Sequence, residues 1–175
     1  MNKETLSPYT TPREVKDIVA RDRFLSSCKQ IHEVSPVSGG VAHHVYRVRT
    51  DSDIFYLKIR GNRFAQMPEI ACNPVDICNE KKALMVFNEI SPENFPRILS
   101  FNEEKFYMIL TNALPNGELL QDLLLKGDIS ESMLFNLGGT LKNIHQRSMF
   151  YQQDIRKNGD SQHYEKKLSQ RKHSL

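Results

Sequence analysis

The sequence predicts an α+β fold in the order helix, three strands, helix, two strands, two helices. Three observations predict it. The run Ile54-Phe55-Tyr56-Leu57-Lys58-Ile59-Arg60 is short, rich in β-branched and aromatic residues, and starts behind an Asp-Ser-Asp turn at 51–53. A glycine pair, Gly39-Gly40, separates two further strand-like runs upstream of it. A helix-like run carrying Glu80 follows, and behind it stands a strand–turn–strand pattern over 97–110.

The elements can be justified in chain order. Residues 1–11 are polar and read as a flexible N-terminus. Thr11-Pro12-Arg13-Glu14 has the form of a helix start, with threonine as cap, proline at the first helical position and an acid in the first turn. Val15, Ile18 and Val19, extended by Phe24-Leu25, supply its apolar stripe. Strands are expected over Ile31–Val37, His44–Arg49 and Ile54–Arg60. The glycines between the first two permit a tight turn and a close backbone approach to a ligand. Residues 61–74 read as a loop, because Pro68 and Pro74 oppose regular structure. Asn73 or Asp76 is a candidate cap for a helix reaching Asn88, with Ile77, Ala83, Leu84 and Phe87 on its apolar side. Arg97–Phe101 and Phe106–Leu110 form a hairpin across 102–105. One helix starts near Glu118 with Leu119, Leu120, Leu123 and Leu124. Another runs from Ser130 to Gln146 with Met133, Leu134, Leu137, Leu141 and Ile144.

Composition bounds the function classes. A chain of 175 residues suits one domain, or one and a half small ones, and can bury a real core. With 39% hydrophobic and 26% charged residues it has the balance of a soluble globular protein. A net charge of +3 is mild and demands no nucleic-acid partner. The three cysteines, Cys28, Cys72 and Cys78, cannot all pair with one another and show no zinc-ligand spacing; they read as reduced thiols of a cytoplasmic protein. No run approaches the ~18 apolar residues of a membrane span, so no membrane partner is expected. Neither a Walker phosphate loop nor a Gly-x-Ser-x-Gly element is present.

On the 54–60 strand, alternation puts Phe55, Leu57 and Ile59 on one face and Tyr56, Lys58 and Arg60 on the other. The first set makes a core face. Lys58 points away from it, either into solvent or toward a ligand.

The segments V-S-G-G-V-A-H-H-V-Y-R-V, F-Y-L-K-I-R, N-E-K-K-A-L, F-P-R-I-L, M-I-L-T-N-A-L-P-N-G and L-G-G-T-L-K-N-I-H, in that order, resemble the aminoglycoside phosphotransferase and choline kinase family, over residues 12–148. The family has the protein-kinase-like fold and transfers the γ-phosphate of ATP to a hydroxyl of a small molecule. The resemblance implies a nucleotide-binding small lobe over 12–114, with a five-stranded antiparallel sheet plus helix. It further implies a hinge and the first large-lobe helices over 115–150. It implies Mg-ATP as cofactor and a nucleotide as partner. Gly39 and Gly40 match the turn that covers the phosphates, Lys58 the lysine that binds the α- and β-phosphates, and Glu80 the glutamate that pairs with that lysine. Tyr56 matches a position lining the adenine pocket, and its plain alternative is an ordinary strand aromatic. Asn112, Ala113 and Leu114 match the hinge that meets the adenine edge through backbone groups. His145 matches a helix-terminal histidine whose first role is structural.

Departures from the family pattern matter. Ala42, His43 and His44 stand where the family often has a polar residue and an asparagine; protonated histidines could contact phosphate, but a solvated turn is the expectation. The His-Gly-Asp catalytic loop and the later magnesium-binding aspartate have no match: Asn158-Gly159-Asp160 lacks the following asparagine. No catalytic residue and no metal ligand is assigned, and the chain alone is expected to be inactive in phosphoryl transfer, its large lobe truncated. Residues 151–175 form a polar, basic tail, expected to be disordered and solvated. The alternative is a non-catalytic nucleotide-binding or protein-interaction module, or a truncated gene product. The leucines at 119, 120, 123, 124, 137 and 141 would then expose an apolar surface that a partner chain or a dimer would cover.

Overall fold

A computed structural model describes residues 12–27, 30–37, 40–113, 118 and 120–151. The expectations for the N-terminus, the 152–175 tail, Thr11, Cys28, Gly39, Leu114 and Leu119 fall outside the described residues. The chain is α+β. In order it forms α1 (Pro12–Arg21), α2 (Arg23–Ser26), β1 (Ile31–Pro36), β2 (His44–Thr50), β3 (Ile54–Ile59), α3 (Asp76–Ile90), β4 (Ile98–Asn102), β5 (Tyr107–Thr111), α4 (Leu120–Lys126) and α5 (Glu131–Ser148), closed by a 3-10 turn at Met149–Tyr151.

The strands make one five-stranded sheet in the order β1-β2-β3-β5-β4, with antiparallel neighbours throughout. β3 is central. Its alternation therefore meets a covered surface on both sides. Phe55, Leu57 and Ile59 join Val48, Tyr107 and Ile109 in a core closed by Val15, Ile18, Val19 and Leu25 of the N-terminal helices. The Phe24 and Phe55 rings meet edge to face with centroids 5.1 Å apart. The opposite face carries a second core of Ile77, Met108 and Leu110, edged by Tyr56, Cys78, Leu84, Ile98 and Phe101. Helix α3 lies on this face. The Lys58 side of β3 is thus roofed by a helix instead of opening directly to water.

The N-terminal helix differs from the expected single element, because Asp22 divides it. Its Oδ1 accepts the backbone N–H groups of Phe24 (2.9 Å) and Leu25 (3.2 Å), which restarts the chain as a capped turn. Its Oδ2 accepts the hydroxyls of Ser100 and Tyr107, each at 2.8 Å. One buried carboxylate so pins α2 to β4 and β5. Neither candidate caps α3 by its side chain in the expected way. The helix begins after Val75 with no side-chain cap, and Asn73 Oδ1 instead accepts the Val75 N–H of the preceding turn at 3.1 Å. The 61–74 loop, read as irregular, closes on itself through an Arg63–Ala71 bridge, with Phe64 N–H bonded to Ile70 O and Cys72 N–H to Asn62 O. Its prolines lie outside that bridge. Ser130 caps α5 as its sequence suggests, accepting the Met133 N–H at 3.2 Å.

Tyr107 supplies a testable consequence. Burial first, then its bond to Asp22 and that carboxylate's charge, push its phenol up to about 12. The folded-state value lies above the ordinary one, so the neutral phenol is the form folding favours. Its contribution is complete below pH ~10 and is lost as pH rises toward ~12. Following phenolate absorbance through an alkaline titration should show Tyr107 as the last of the six tyrosines to ionise, together with loss of the native fold. Ionisation of all six at the ordinary value in folded protein would exclude this.

Candidate functional site

Lys58 lies opposite Met108 on β5 and opposite Val45 on β2, and its side chain rises from the sheet toward α3. Glu80 stands one helical turn into α3, at the i+4 position from Asp76, so both acids share the helix face above the sheet. Lys58 Nζ donates to Glu80 Oε1. The pair is mostly covered, with 21% of the lysine side chain and 28% of the glutamate side chain accessible. A two-rotamer-rich partnership at that depth holds its geometry better than a surface ion pair would.

Three further groups complete the polar cluster. His43 Nε2 lies 3.2 Å from Glu80 Oε2. Arg60 Nη2 lies 3.6 Å from Asp76 Oδ2, and its Nη1 donates to Ala42 O at 3.3 Å. The Arg60 guanidinium also sits over the Phe64 ring, 5.4 Å from its centre. Although Arg60 follows β3 at its end, it is only 6% exposed. His43 is not the solvated turn residue expected of it: its side chain is 16% accessible. Burial, followed by the charges of Lys58, Arg60 and His44 and opposed by Asp76, pushes its ring down to about 3, so it is neutral at every ordinary pH. His44 pairs with Ile59 in the β2–β3 register and so belongs to the other face of the sheet. There its Nε2 is buried without a hydrogen-bond partner among the described residues.

The remaining candidates are distributed along the same strands. Gly40 stands immediately before the 41–43 bend that leads into β2. A Cβ placed on it would meet only ordinary contacts, His43 O at 3.6 Å and Val45 Cγ2 at 3.9 Å, so internal packing gives no reason for glycine there. Tyr56 is half-buried against the second core, two residues from Lys58 on the same face. Asn112 follows β5 immediately, beyond the Phe55–Thr111 pair, at the end of the sheet away from the glycine turn. His145 is exposed near the end of α5. The structure thus brings Gly40, Lys58 and Glu80 to one end of the site and puts Tyr56 and Asn112 toward the other. Sequence reading missed Arg60 and Asp76. Period-two alternation from Lys58 and the i, i+4 spacing to Glu80 were the available signals.

A recess of about 540 Å3 adjoins this cluster, lined by Arg60, Phe64, Cys72, Asn73 and Asp76 among others. Among the described residues, no group of three or more His, Cys, Asp or Glu is placed to hold a metal ion. No described helix is long and apolar enough to cross a membrane.

No protein-family model matches the chain. Over 35 residues it is 51% identical to the "Probable ketoamine kinase" of Staphylococcus aureus. That stretch is 20% of this chain and 12% of the relative. The similarity supports a kinase-like relationship for this part of the chain.

Proposed function

We propose that this chain is the ATP-binding part of a small-molecule phosphotransferase, with residues 12–114 as the nucleotide-binding lobe and 115–150 as hinge and first helices of the second lobe. The observation that carries this reading is the Lys58–Glu80 pair, held between the central strand and the helix that follows it, beside the end of a glycine turn. An ammonium fixed by a carboxylate can meet phosphate oxygens without the entropy of ordering a free lysine. The freedom of Gly40 from any packing requirement fits a backbone that a phosphate approaches closely. Tyr56 and Asn112 then lie along β3 and β5 where an adenine would extend from those phosphates, with Gly39 and Leu114 completing turn and hinge. Magnesium would enter this site with the nucleotide, as Mg-ATP. Ketoamines join aminoglycoside-, choline- and sugar-like compounds as acceptors to assay, on the similarity to the staphylococcal protein.

A thermal melt of the chain with Mg-ADP tests the reading. At a hundredfold excess over Kd the nucleotide should add about 2.7 kcal/mol, a rise in Tm of roughly 5–10 °C. An unchanged Tm at millimolar nucleotide would favour a second reading, a protein-interaction module. One observation supports that alternative: Leu124, Leu125, Leu134, Phe135 and Leu141 are all exposed on α4 and α5, Phe135 by 82%.

A further inference from the structure

We propose that His43 is a positioning residue, which fixes the Glu80 carboxylate by donating its Nε2–H to Oε2 and thereby latches the glycine turn to helix α3. The inference rests on the phosphotransferase reading, in which Glu80 exists to hold Lys58.

A glutamate that binds one lysine through one oxygen can still turn about its terminal bonds. Lys58 Nζ donates to Glu80 Oε1, and His43 Nε2 lies 3.2 Å from Oε2, so donation from the ring would hold the carboxylate at both oxygens. The two donors come from different elements, so the carboxylate plane is set from two directions. The histidine also ends a tethered limb. Val41 O accepts the Gln66 N–H at 3.2 Å, Ala42 O accepts Arg60 Nη1 at 3.3 Å, and His43 reaches Glu80. Three successive residues are thus tied to the 61–74 loop, to the end of β3 and to α3. The limb that leaves the glycine turn cannot swing without releasing the carboxylate that orients Lys58.

The chemistry of the ring agrees with donation to Glu80. Arg60 Nη1 also lies near His43 Nε2, at 3.5 Å, but a guanidinium only donates. Nε2 must therefore either accept from Arg60 or donate to Glu80. The carboxylate is nearer, and Arg60 already serves Ala42 O and Asp76. Lys58 and Arg60 face the ring from β3 and the residue after it, and Asp76 and Glu80 face it from α3, while His44 acts on it from the other face of the sheet. The cations and burial keep it neutral. A neutral ring offers one N–H without a charge that would draw Glu80 away from Lys58.

Calorimetric titration of the full chain with Mg-ADP, for wild type, His43→Ala and His43→Gln, tests the latch. Nitrogen-detected NMR of the histidine rings accompanies it, with the His43 signals identified by their loss in His43→Gln. His43→Ala should weaken binding about 5- to 20-fold, less than the roughly 10- to 150-fold full worth of a hydrogen bond to a charged group, because the ring acts through Glu80 and not on the nucleotide itself. His43→Gln restores an N–H donor of similar reach and should stay within about threefold of wild type. In the wild type the ring should remain the neutral Nε2–H tautomer down to pH ~4. Wild-type affinity in His43→Ala, equal weakening in both variants, or a ring that titrates at the ordinary histidine value would each overturn the latch. Wild-type protein that binds no nucleotide overturns the phosphotransferase reading, and the purpose of the latch with it. Should His43→Ala not fold, the comparison of His43→Gln with wild type and the ring tautomer decide the matter.

Discussion

Lys58→Ala is expected to remove the rise in Tm that Mg-ADP gives the wild-type chain and to weaken nucleotide binding by about 100-fold, equivalent to the loss of one or two charge-assisted hydrogen bonds. The variant itself should fold. Lys58 lies on the helix-covered face of β3, but the buried contacts of the strand come from Phe55, Leu57 and Ile59 on the other. Truncation leaves Glu80 28% accessible to water and 3.2 Å from His43 Nε2, so the carboxylate is not stranded in a dry core. Lys58→Arg keeps the charge but replaces a point donor by a planar fork, and should recover only part of the affinity. Glu80→Gln should cost less than Lys58→Ala, about tenfold, because the lysine keeps its charge and loses its anchor. Equal nucleotide-induced shifts in wild type and Lys58→Ala, measured by calorimetry and by melting, would remove Lys58 from the site.

Much of this arrangement is legible locally. Two-residue alternation along 54–60 identifies the face that packs on α1 and α2, whereas the Lys58–Glu80 pair is anticipated only through the family resemblance of the glycine, lysine and glutamate segments. What is not legible depends on contacts distant in sequence. Asp22 reads as one more helix residue, since nothing near it announces that Ser100 and Tyr107, 78 and 85 positions away, will donate to it. His43 reads as a solvated turn residue because Glu80 and Arg60 reach it only after the sheet and α3 have assembled. The strand rule identified one covered face, whereas a central strand under a helix has two. Arg60 shows the consequence: a charged strand residue, expected outside, is buried between Phe64, Asp76 and the glycine-turn limb. The 61–74 loop was judged by its prolines, yet the bridge forms between Arg63 and Ala71, which neither Pro68 nor Pro74 occupies.

The exposed leucines of α4 and α5 belong to the same argument from a different side. Their spacing gives the helices correctly, and the apolar surface expected of them is present: Leu120, Leu124, Leu137 and Leu141 are all at least 40% exposed. Helix α5 is attached to the sheet domain by Arg147, which donates to Ile90 O at 3.0 Å, and by the Asn94–Thr140 contact at 3.4 Å. These are polar ties at the end of α3. The apolar stripe stays exposed, and under the phosphotransferase reading it is the face that a second lobe would cover.

Asp22→Ala should be the most destabilising single change in the sheet domain, by about 3–5 kcal/mol, for three reasons that act together. The substitution removes the cap that restarts α2, worth about 1 kcal/mol. It strands the buried Tyr107 hydroxyl, at about 1–3 kcal/mol unless it finds another acceptor, and takes the acceptor from the half-buried Ser100 hydroxyl, which water can partly replace. It also unties α2 from β4 and β5, across which Leu25 and Phe24 close the first core. Asp22→Asn keeps an oxygen for one set of donors and should lose roughly half as much. Tyr107→Phe removes one donor and leaves the carboxylate with three, so it should cost about 1–2 kcal/mol. In Asp22→Ala the phenol of Tyr107 should ionise earlier than in the wild type, since its bond to Asp22 and that charge disappear. Burial, the largest cause, remains and should keep it above the ordinary value. Urea unfolding of the two single variants and the double variant gives the coupling between them. A loss below about 1 kcal/mol for Asp22→Ala, or strict additivity with Tyr107→Phe, would show that this carboxylate does not join α2 to the sheet.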